Sequence, residues 1–458
     1  MPPFPLVPDL ETMRRLGHAA VDAIAAHLEG QRQLRVGERH TAADLHAAVG
    51  EPLPEEGVGM EACLERFFDH LVPRCTQTNH PRFFAYIPGP GSYAGALGEF
   101  VAAATNFFVG TWLGGAAMAQ LEVEVLDWLR QALALPGGVT GVLTSGGSVA
   151  NLSALAAALA TRPEERANAV VYTSSETHHS MAKAARILGV THVRTLATDS
   201  EQRLSPTALA EAIADDRAAS RWPAFVCANA GSTTTGSVDP IAAIADVCAQ
   251  VGAWLHVDAA YGGAVALLPE HRPTFAGLER ADSITLDPHK WLYVPFESGC
   301  LLTARVADLE RGFASGPAGY LQDIPDAEVN FFARGPELTR GNRALKLWFL
   351  LRACGLEQIR NAIRSDLACA RLACALVVED PRLEVVTPPR LSVFTFASRA
   401  GEDATQRLME AVLADGFLML SSSRVDGRYV LRWCVANART TTDDVRQAVA
   451  RVRALLDR

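Results

Sequence analysis

Paired cysteines are missing from this chain. Nine cysteines are scattered singly over 458 residues, the nearest two being Cys369 and Cys374, and no C-x-x-C occurs. That excludes a zinc ribbon and a secreted disulfide framework and fits a reducing compartment, so a cytoplasmic location is expected. Basic charge is also short. Forty-two Lys and Arg stand against 51 Asp and Glu, a net charge of -9, whereas a nucleic-acid-binding surface normally needs a basic footprint. The opening MPPFPLVPDLETMRR has neither the basic leader nor the apolar run of a signal peptide. Internal repeats and low-complexity tracts do not occur. Charged residues make up 20% and hydrophobic ones 49%, which excludes wholesale disorder and marks a globular chain. Its length calls for two or three structural units.

One uncharged run stands out, residues 100–121 between Glu99 and Glu122. It is long enough to span a membrane. Yet it holds Asn106, Thr111, Gln120 and three glycines, and no second span matches it. A buried helix or a subunit contact is expected there, without membrane association.

Along the chain, the first 80 residues read as helical. Asp9 is placed to cap a helix on which Leu16, Ala20, Ile24 and Leu28 recur at four-residue spacing. The Pro-Gly punctuation of IPGPGS (87–92) ends that pattern. From about 120 to 305, short apolar runs alternate with helical segments: GVLTS (141–145) before NLSALAAALA, AVVYTS (169–174) before HHSMAKAARILG, AFVCANAG (224–231) before IAAIADVCAQVG, then AWLHVDA (253–259) and SITLD (283–287). That rhythm predicts βαβ units and a mainly parallel sheet, an α/β core. The tail changes character. LEVV (383–386), LSVFTFA (391–397), FLMLSS (417–422) and YVLRWCV (429–435) read as strands, with helices over 402–416 and 443–456 between and after them. The expected division is a helical segment over 1–85, a large α/β domain over 86–347 and a small α+β domain over 348–458.

Ligands of open α/β sheets bind beyond the carboxyl ends of the strands, so residues just after each run carry the functional argument. TSGGSVAN (144–151) places Gly146 and Gly147 before a helix whose first N–H groups could receive an anion. It lacks the Lys-Ser/Thr of a P-loop and does not match G-x-G-x-x-G. Alone, it is equally an ordinary strand-to-helix turn. Asp258 in HVDAAYGG and Lys290 in DPHKW also stand at strand ends. A strand-end Asp invites a cationic nitrogen partner, unless it is a solvated loop residue. Burial of Lys290 between His289 and Trp291 would support an amine nucleophile or a Schiff base, the alternative being a lysine that extends its stem to solvent. His178 and His179 have no third residue at metal-ligand spacing, so no metal site is expected.

The glycine-rich loop, His178, H-V-D-A-A-Y and D-P-H-K-W in this order resemble the pyridoxal-phosphate-dependent group II amino-acid decarboxylases, and most of all their aromatic-L-amino-acid decarboxylase branch. H-P-R-F-F-A-Y (80–86), L-E (121–122), G-S-T-T-T-G-S-V-D (231–239), R-A-L-K-L-W-F (343–349) and Y-V-L-R (429–432) extend the resemblance over nearly the whole chain. It implies an aspartate-aminotransferase-like, fold-type I architecture: a mostly parallel seven-stranded large domain, a small C-terminal α+β domain, and N-terminal helices wrapping the partner of a homodimer. Pyridoxal phosphate would form a Schiff base with Lys290, pair its ring nitrogen with Asp258, stack under His178 and rest over Ala260. Gly146, Gly147 and Ser148 would cradle its phosphate, with Thr233, Asp287 and His289 nearby. The bound ring is the electron sink for decarboxylation.

The resemblance also places Tyr320, in FASGPAGYLQDIPD (313–326), as the donor that returns a proton to the α-carbon. Related aldehyde synthases carry Phe there, so Tyr320 favours simple decarboxylation to an amine. Departures from the branch fall at Asp287, where Asn is usual, at Gly89, at Gly110 and at His179. A carboxylate at 287 would repel a phosphate unless it turns away or meets a donor. Phe84, Tyr86, Phe107, Phe108 and Trp112 supply aromatic surface for a substrate, or ordinary core packing. With Gly89 and Gly110 leaving room, the expected substrate is an aromatic L-amino acid of the tryptophan, phenylalanine, tyrosine or DOPA type. The rivals are an aldehyde synthase or another lyase on the same cofactor, and a scaffold that has lost catalysis.

Overall fold

Strands covered on both faces are unbroken apolar runs, and the core of this molecule is assembled from them. The computed structural model describes residues 5–314 and 328–456. Seven strands make the main sheet: β1 (Thr140–Thr144), β2 (Ala169–Ser174), β3 (His192–Leu196), β4 (Trp222–Asn229), β5 (Trp254–Asp258), β6 (Ser283–Leu286) and β7 (Gly299–Thr303). Their order is β1-β7-β6-β5-β4-β2-β3. β2, β3, β4, β5 and β6 pair in parallel, and β7 runs antiparallel to both β1 and β6. Every residue of β2, β4 and β5 is buried. The alanine-rich helix Gly147–Leu159 is apolar nearly all round because it too is covered on most sides. Its N-terminus follows β1, so it begins at the carboxyl edge of the sheet.

A second sheet of four antiparallel strands, β8 (Leu383–Arg390), β9 (Val393–Ser398), β10 (Ser421–Val425) and β11 (Arg428–Cys434), lies in the order β10-β11-β9-β8. Phe394, Phe396, Leu431 and Trp433 form its core with the helices Glu402–Asp415 and Thr442–Leu455. The helix Arg343–Val378 joins the two units. It runs through residues 347 and 348 and is kinked at Gly355, whose φ of 74° is left-handed. Its first half packs on the main core and its residues from Cys369 onward on the small one. The N-terminal segment is tied to the small unit as well: Phe83 bridges Met419, and Arg432 donates to the carbonyls of Tyr86 and Thr233.

Asp9 caps the first helix, Leu10–Gly30, accepting from Thr12 N–H at 2.7 Å. The uncharged run is split between two helices, Tyr93–Thr105 and Trp112–Ala132, with Asn106 in the left-handed conformation ending the first. Among the described residues no helix is long and apolar enough to cross a membrane. Within one chain the run is not wholly buried: Phe100 (60%), Phe107 (48%) and Leu113 (69%) remain exposed. Glu122 at its end is fully buried, where Arg340 at 2.8 Å and the Leu143 N–H satisfy one carboxylate oxygen.

Candidate active site

The carboxyl ends of β1, β2, β4, β5 and β6 open on one cavity of about 370 Å³, within the range of small-ligand sites. The turn after β1 brings Gly146, Gly147 and Ser148 to it, and the loop after β2 brings His178. Thr233 follows β4, and Asp258 and Ala260 come from the end of β5. Asp287, His289 and Lys290 follow β6. All ten residues expected near the cofactor thus share one wall.

Asp258 is built into a buried network. Its Oδ2 accepts from Asn151 Nδ2 at 2.9 Å and its Oδ1 from the Ala260 N–H at 3.1 Å. A carboxylate only accepts, so Asn151 must turn its amide nitrogen to Asp258 and its oxygen the other way. That oxygen receives Thr285 Oγ1–H at 2.7 Å and faces His256 Nε2 at 3.1 Å, which must therefore carry the proton. His256 Nδ1 then accepts from Ser283 Oγ, 2.8 Å away. Burial brings the His256 pKa down to about 4, against the opposing pull of Asp258, so the ring stays neutral. On the other side, Asn151 Nδ2 donates to Ser180 Oγ at 2.9 Å, and Ser180 Oγ lies 2.8 Å from His178 Nδ1. The Ser180 backbone N–H also donates to Nδ1, which leaves the His178 proton on Nε2. Burial lowers the His178 pKa, Asp258 opposes this, and Lys290 adds to the lowering. A neutral imidazole with an Nε2–H donor results.

The lysine end is arranged differently. Lys290 Nζ sits 3.0 Å from Asp287 Oδ2, and His289 Nε2 is 3.7 Å from the same oxygen. Burial works to lower the Lys290 pKa, but Asp287 and then Asp258 outweigh it, so the ammonium is favoured. Asp287 Oδ1 and Ser298 Oγ are buried without a hydrogen-bond partner among the described residues. The helix beginning at Gly147 has no side-chain cap, and its first N–H groups are free to receive an anion. A Cβ on Gly147 would come within 2.8 Å of Asp287 Oδ2. Glycine is present there to keep that space open. An amine, a supported carboxylate, the small Ala260 and an uncapped helix end fit an aldehyde-bearing aromatic cofactor with a phosphate.

The residues expected to touch the substrate are dispersed. Phe84 is a correction: it is wholly buried and stacks on Trp433 at 4.5 Å in the core of the small unit. The room expected at the two glycines is also filled. A Cβ at Gly89 would lie 2.5 Å from the Phe296 ring, and one at Gly110 2.5 Å from the Phe108 ring. Phe108 is therefore a packing residue beside Gly110 and Gly114, and Trp112 packs against the main core. Tyr86 and Phe107 are exposed and lie outside the cavity lining. His179 is exposed, its ring tilted against that of His178 at 4.1 Å. Tyr320 lies outside the described residues. Among the described residues no group of three or more His, Cys, Asp or Glu is placed to hold a metal ion.

Asn151 and His256 escaped the reading of the sequence although both stand inside the motifs that carried it. The spacing could have found them. Asn151 lies four residues beyond Gly147, on the same helix face, and His256 lies two before Asp258, on the same strand face. Glu176 was also missed. It lines the cavity and accepts from Ser232 Oγ at 2.7 Å, and burial pushes its carboxyl pKa up against that bond.

A strand-end lysine, a carboxylate fixed by a buried amide and an open phosphate turn define an enzyme that carries an aldehyde cofactor on its lysine. The pyridoxal-dependent decarboxylase conserved domain matches residues 44–399. The chain is 35% identical to the aromatic-L-amino-acid decarboxylase of Bacillus atrophaeus, over 98% of this chain and 96% of that one. It is 31% identical to the phenylacetaldehyde synthase of Arabidopsis thaliana, over 96% and 95%. It superposes on the crystal structure of Catharanthus roseus tryptophan decarboxylase in complex with L-tryptophan with a TM-score of 0.93, at 30% identity over 99% of each chain. The chain belongs to the pyridoxal-dependent decarboxylases, and pyridoxal phosphate is its cofactor.

Proposed function

We propose that this enzyme removes the carboxyl group of an aromatic L-amino acid as CO₂ and releases the corresponding amine. The observation that carries the reading is the meeting of Lys290, Asp258 and His178 in one cavity, in a chain aligned almost end to end with aromatic amino-acid decarboxylases. Bound pyridoxal phosphate supplies the electron sink for the pair left behind when the Cα–carboxyl bond breaks. Lys290 holds the cofactor and gives it up to the substrate amine. Asp258, with both its oxygens held by Asn151 and the Ala260 N–H, would pair with the ring nitrogen. His178 offers its Nε2–H to orient the departing carboxylate. Tyr320 returns a proton to Cα, so the carboxyl group is exchanged for hydrogen.

The test is a panel of L-amino acids with CO₂, amine, aldehyde and peroxide measured together. Equal amounts of amine and CO₂ from aromatic substrates are expected. Tyr320→Phe should shift product from amine toward aldehyde with ammonia and peroxide. Aldehyde from the unaltered enzyme would replace this reading with that of an aldehyde synthase, and preference for acidic or short aliphatic amino acids would overturn the aromatic assignment.

The enzyme is further proposed to work as a cytoplasmic homodimer. Leu10, Met13, Phe100, Phe107 and Leu113 leave apolar side chains exposed on the N-terminal helices and the uncharged run, as a subunit contact would require. The nine cysteines are all free thiols, which supports a reducing compartment. Sedimentation at micromolar protein should give a dimer, and a monomer would refute the assembly.

A further inference from the structure

Asp287 is anomalous where it stands. It is 2% exposed and directly follows β6. One oxygen is occupied by Lys290 Nζ at 3.0 Å, and the other is buried with no partner among the described residues. Both oxygens lie beside Gly147, within 2.8 and 3.2 Å of where a Cβ would be, at the uncapped helix end that suits a phosphate. Without cofactor the carboxylate has a use, because it balances the lysine ammonium. Loading removes that balance. On loading, the Lys290 ammonium would release a proton and condense with the cofactor aldehyde, expelling water, so that no ammonium is left beside Asp287 while a dianionic phosphate arrives at the same corner. Two unneutralised anions in a buried site are costly.

The groups facing Asp287 limit the ways out. They are Lys290 and His289 on its own turn, His178 from the loop after β2, and Cys300 from β7; Asp258 acts on Lys290, and Glu297 and Lys346 act on His289. Of the cations, Lys290 is committed to the cofactor, and His178 is held neutral through Ser180. His289 remains, and because its Nδ1 accepts from the Ser298 N–H at 3.1 Å, its Nε2, 3.7 Å from Oδ2, already carries the proton of the neutral ring, so a further proton falls to Asp287. We propose that the Asp287–His289 pair takes up one proton when the phosphate-bearing cofactor binds, so that Asp287 meets the phosphate as a donor instead of repelling it. This rests on pyridoxal phosphate occupying the cavity, and it makes cofactor affinity fall with rising pH.

The full chain, stripped of cofactor, is titrated with pyridoxal phosphate and separately with pyridoxal, which has the aldehyde but no phosphate. Calorimetry at about pH 8, above the phosphate's own titration near 6, in two buffers of different ionisation enthalpy counts the protons exchanged. Both ligands load the same amine, so subtraction isolates the phosphate's share. The unaltered chain should take up about one more proton with pyridoxal phosphate than with pyridoxal, and its preference for the phosphorylated form should fall up to about tenfold per pH unit above 8. Asp287→Asn should abolish the extra proton and raise that preference about tenfold at pH 8. Equal proton counts for the two ligands in the unaltered chain would overturn the proposal and leave the decarboxylase reading standing. If neither ligand loads onto Lys290, the cofactor assignment falls as well.

Discussion

The two ends of the cavity are finished to different degrees. Around Asp258 both carboxylate oxygens, the Asn151 amide and both nitrogens of His256 have partners. Around Asp287, one carboxylate oxygen and the Ser298 hydroxyl are buried and, among the described residues, unpartnered, and the adjoining helix has no side-chain cap there. Buried polar atoms are nearly always satisfied in native proteins, so a cluster of exceptions marks a place where something else completes the bonding. The ring end is organised by the chain itself. The phosphate end leaves bonds for a ligand to complete, and Lys290 and His178, each acted on by both carboxylates, couple the two ends.

The sharpest way to break this contrast is to remove the amide that completes the ring end. Asn151→Ala would leave His256 Nε2–H and Thr285 Oγ1–H without their acceptor and take one donor from Asp258. With about 1–3 kcal/mol for each buried group left unsatisfied, a loss of about 3 kcal/mol or more in unfolding free energy is expected, measured by denaturant titration of the chain without cofactor. Turnover should fall as well, because Asp258 would no longer be held in place. A variant as stable as the parent would show that the network is not what fixes this end, and the distinction drawn above would fail.

What the sequence disclosed follows the same division between position and partnership. The strands β1, β2, β4, β5 and β6 are legible because burial on both faces makes them apolar runs. β3 is not: as an edge strand it carries His192, Arg194 and Thr195, and its residues alternate between half-buried and exposed. β7 enters antiparallel with no helix before it, so the strand–helix rhythm does not announce it. The strand expected over 417–422 lies later, at Ser421–Val425, because Leu418 and Leu420 are spent on the small core. In the site, Lys290, Asp258 and the glycine turn are visible from their places at strand ends. Spacing puts Asn151 and His256 on the same faces as Gly147 and Asp258, but their roles as an amide and a neutral histidine come from what surrounds them. The aromatic residues mislead for a related reason. Resemblance to the branch suggests that Gly89 and Gly110 leave room, but not that Phe296 and Phe108 occupy it.

A gentler change sharpens the comparison from the other end. Gly147 has no left-handed φ, so alanine is compatible with its backbone, and alanine is also the better helix former. The whole cost of Gly147→Ala falls on space, since the new Cβ would stand 2.8 Å from Asp287 Oδ2 and 3.2 Å from Oδ1. Asp287 cannot move far, being buried and paired with Lys290. If the glycine serves only chain packing, the variant should lose about 1–3 kcal/mol of stability, as overpacked sites do, and bind pyridoxal phosphate as before. If it holds open a phosphate site, stability should change by less than about 1 kcal/mol as Asp287 gives slightly toward the unfilled cavity. Cofactor affinity should then drop about tenfold or more, the equivalent of about 1.4 kcal/mol. The second outcome is expected. Thermal unfolding with and without pyridoxal phosphate reads both quantities in one preparation, because ligand that binds only the folded chain raises the transition by an amount that grows with the logarithm of its affinity. A full cofactor-dependent rise in the variant would show that the open corner beside Asp287 is not where the phosphate goes.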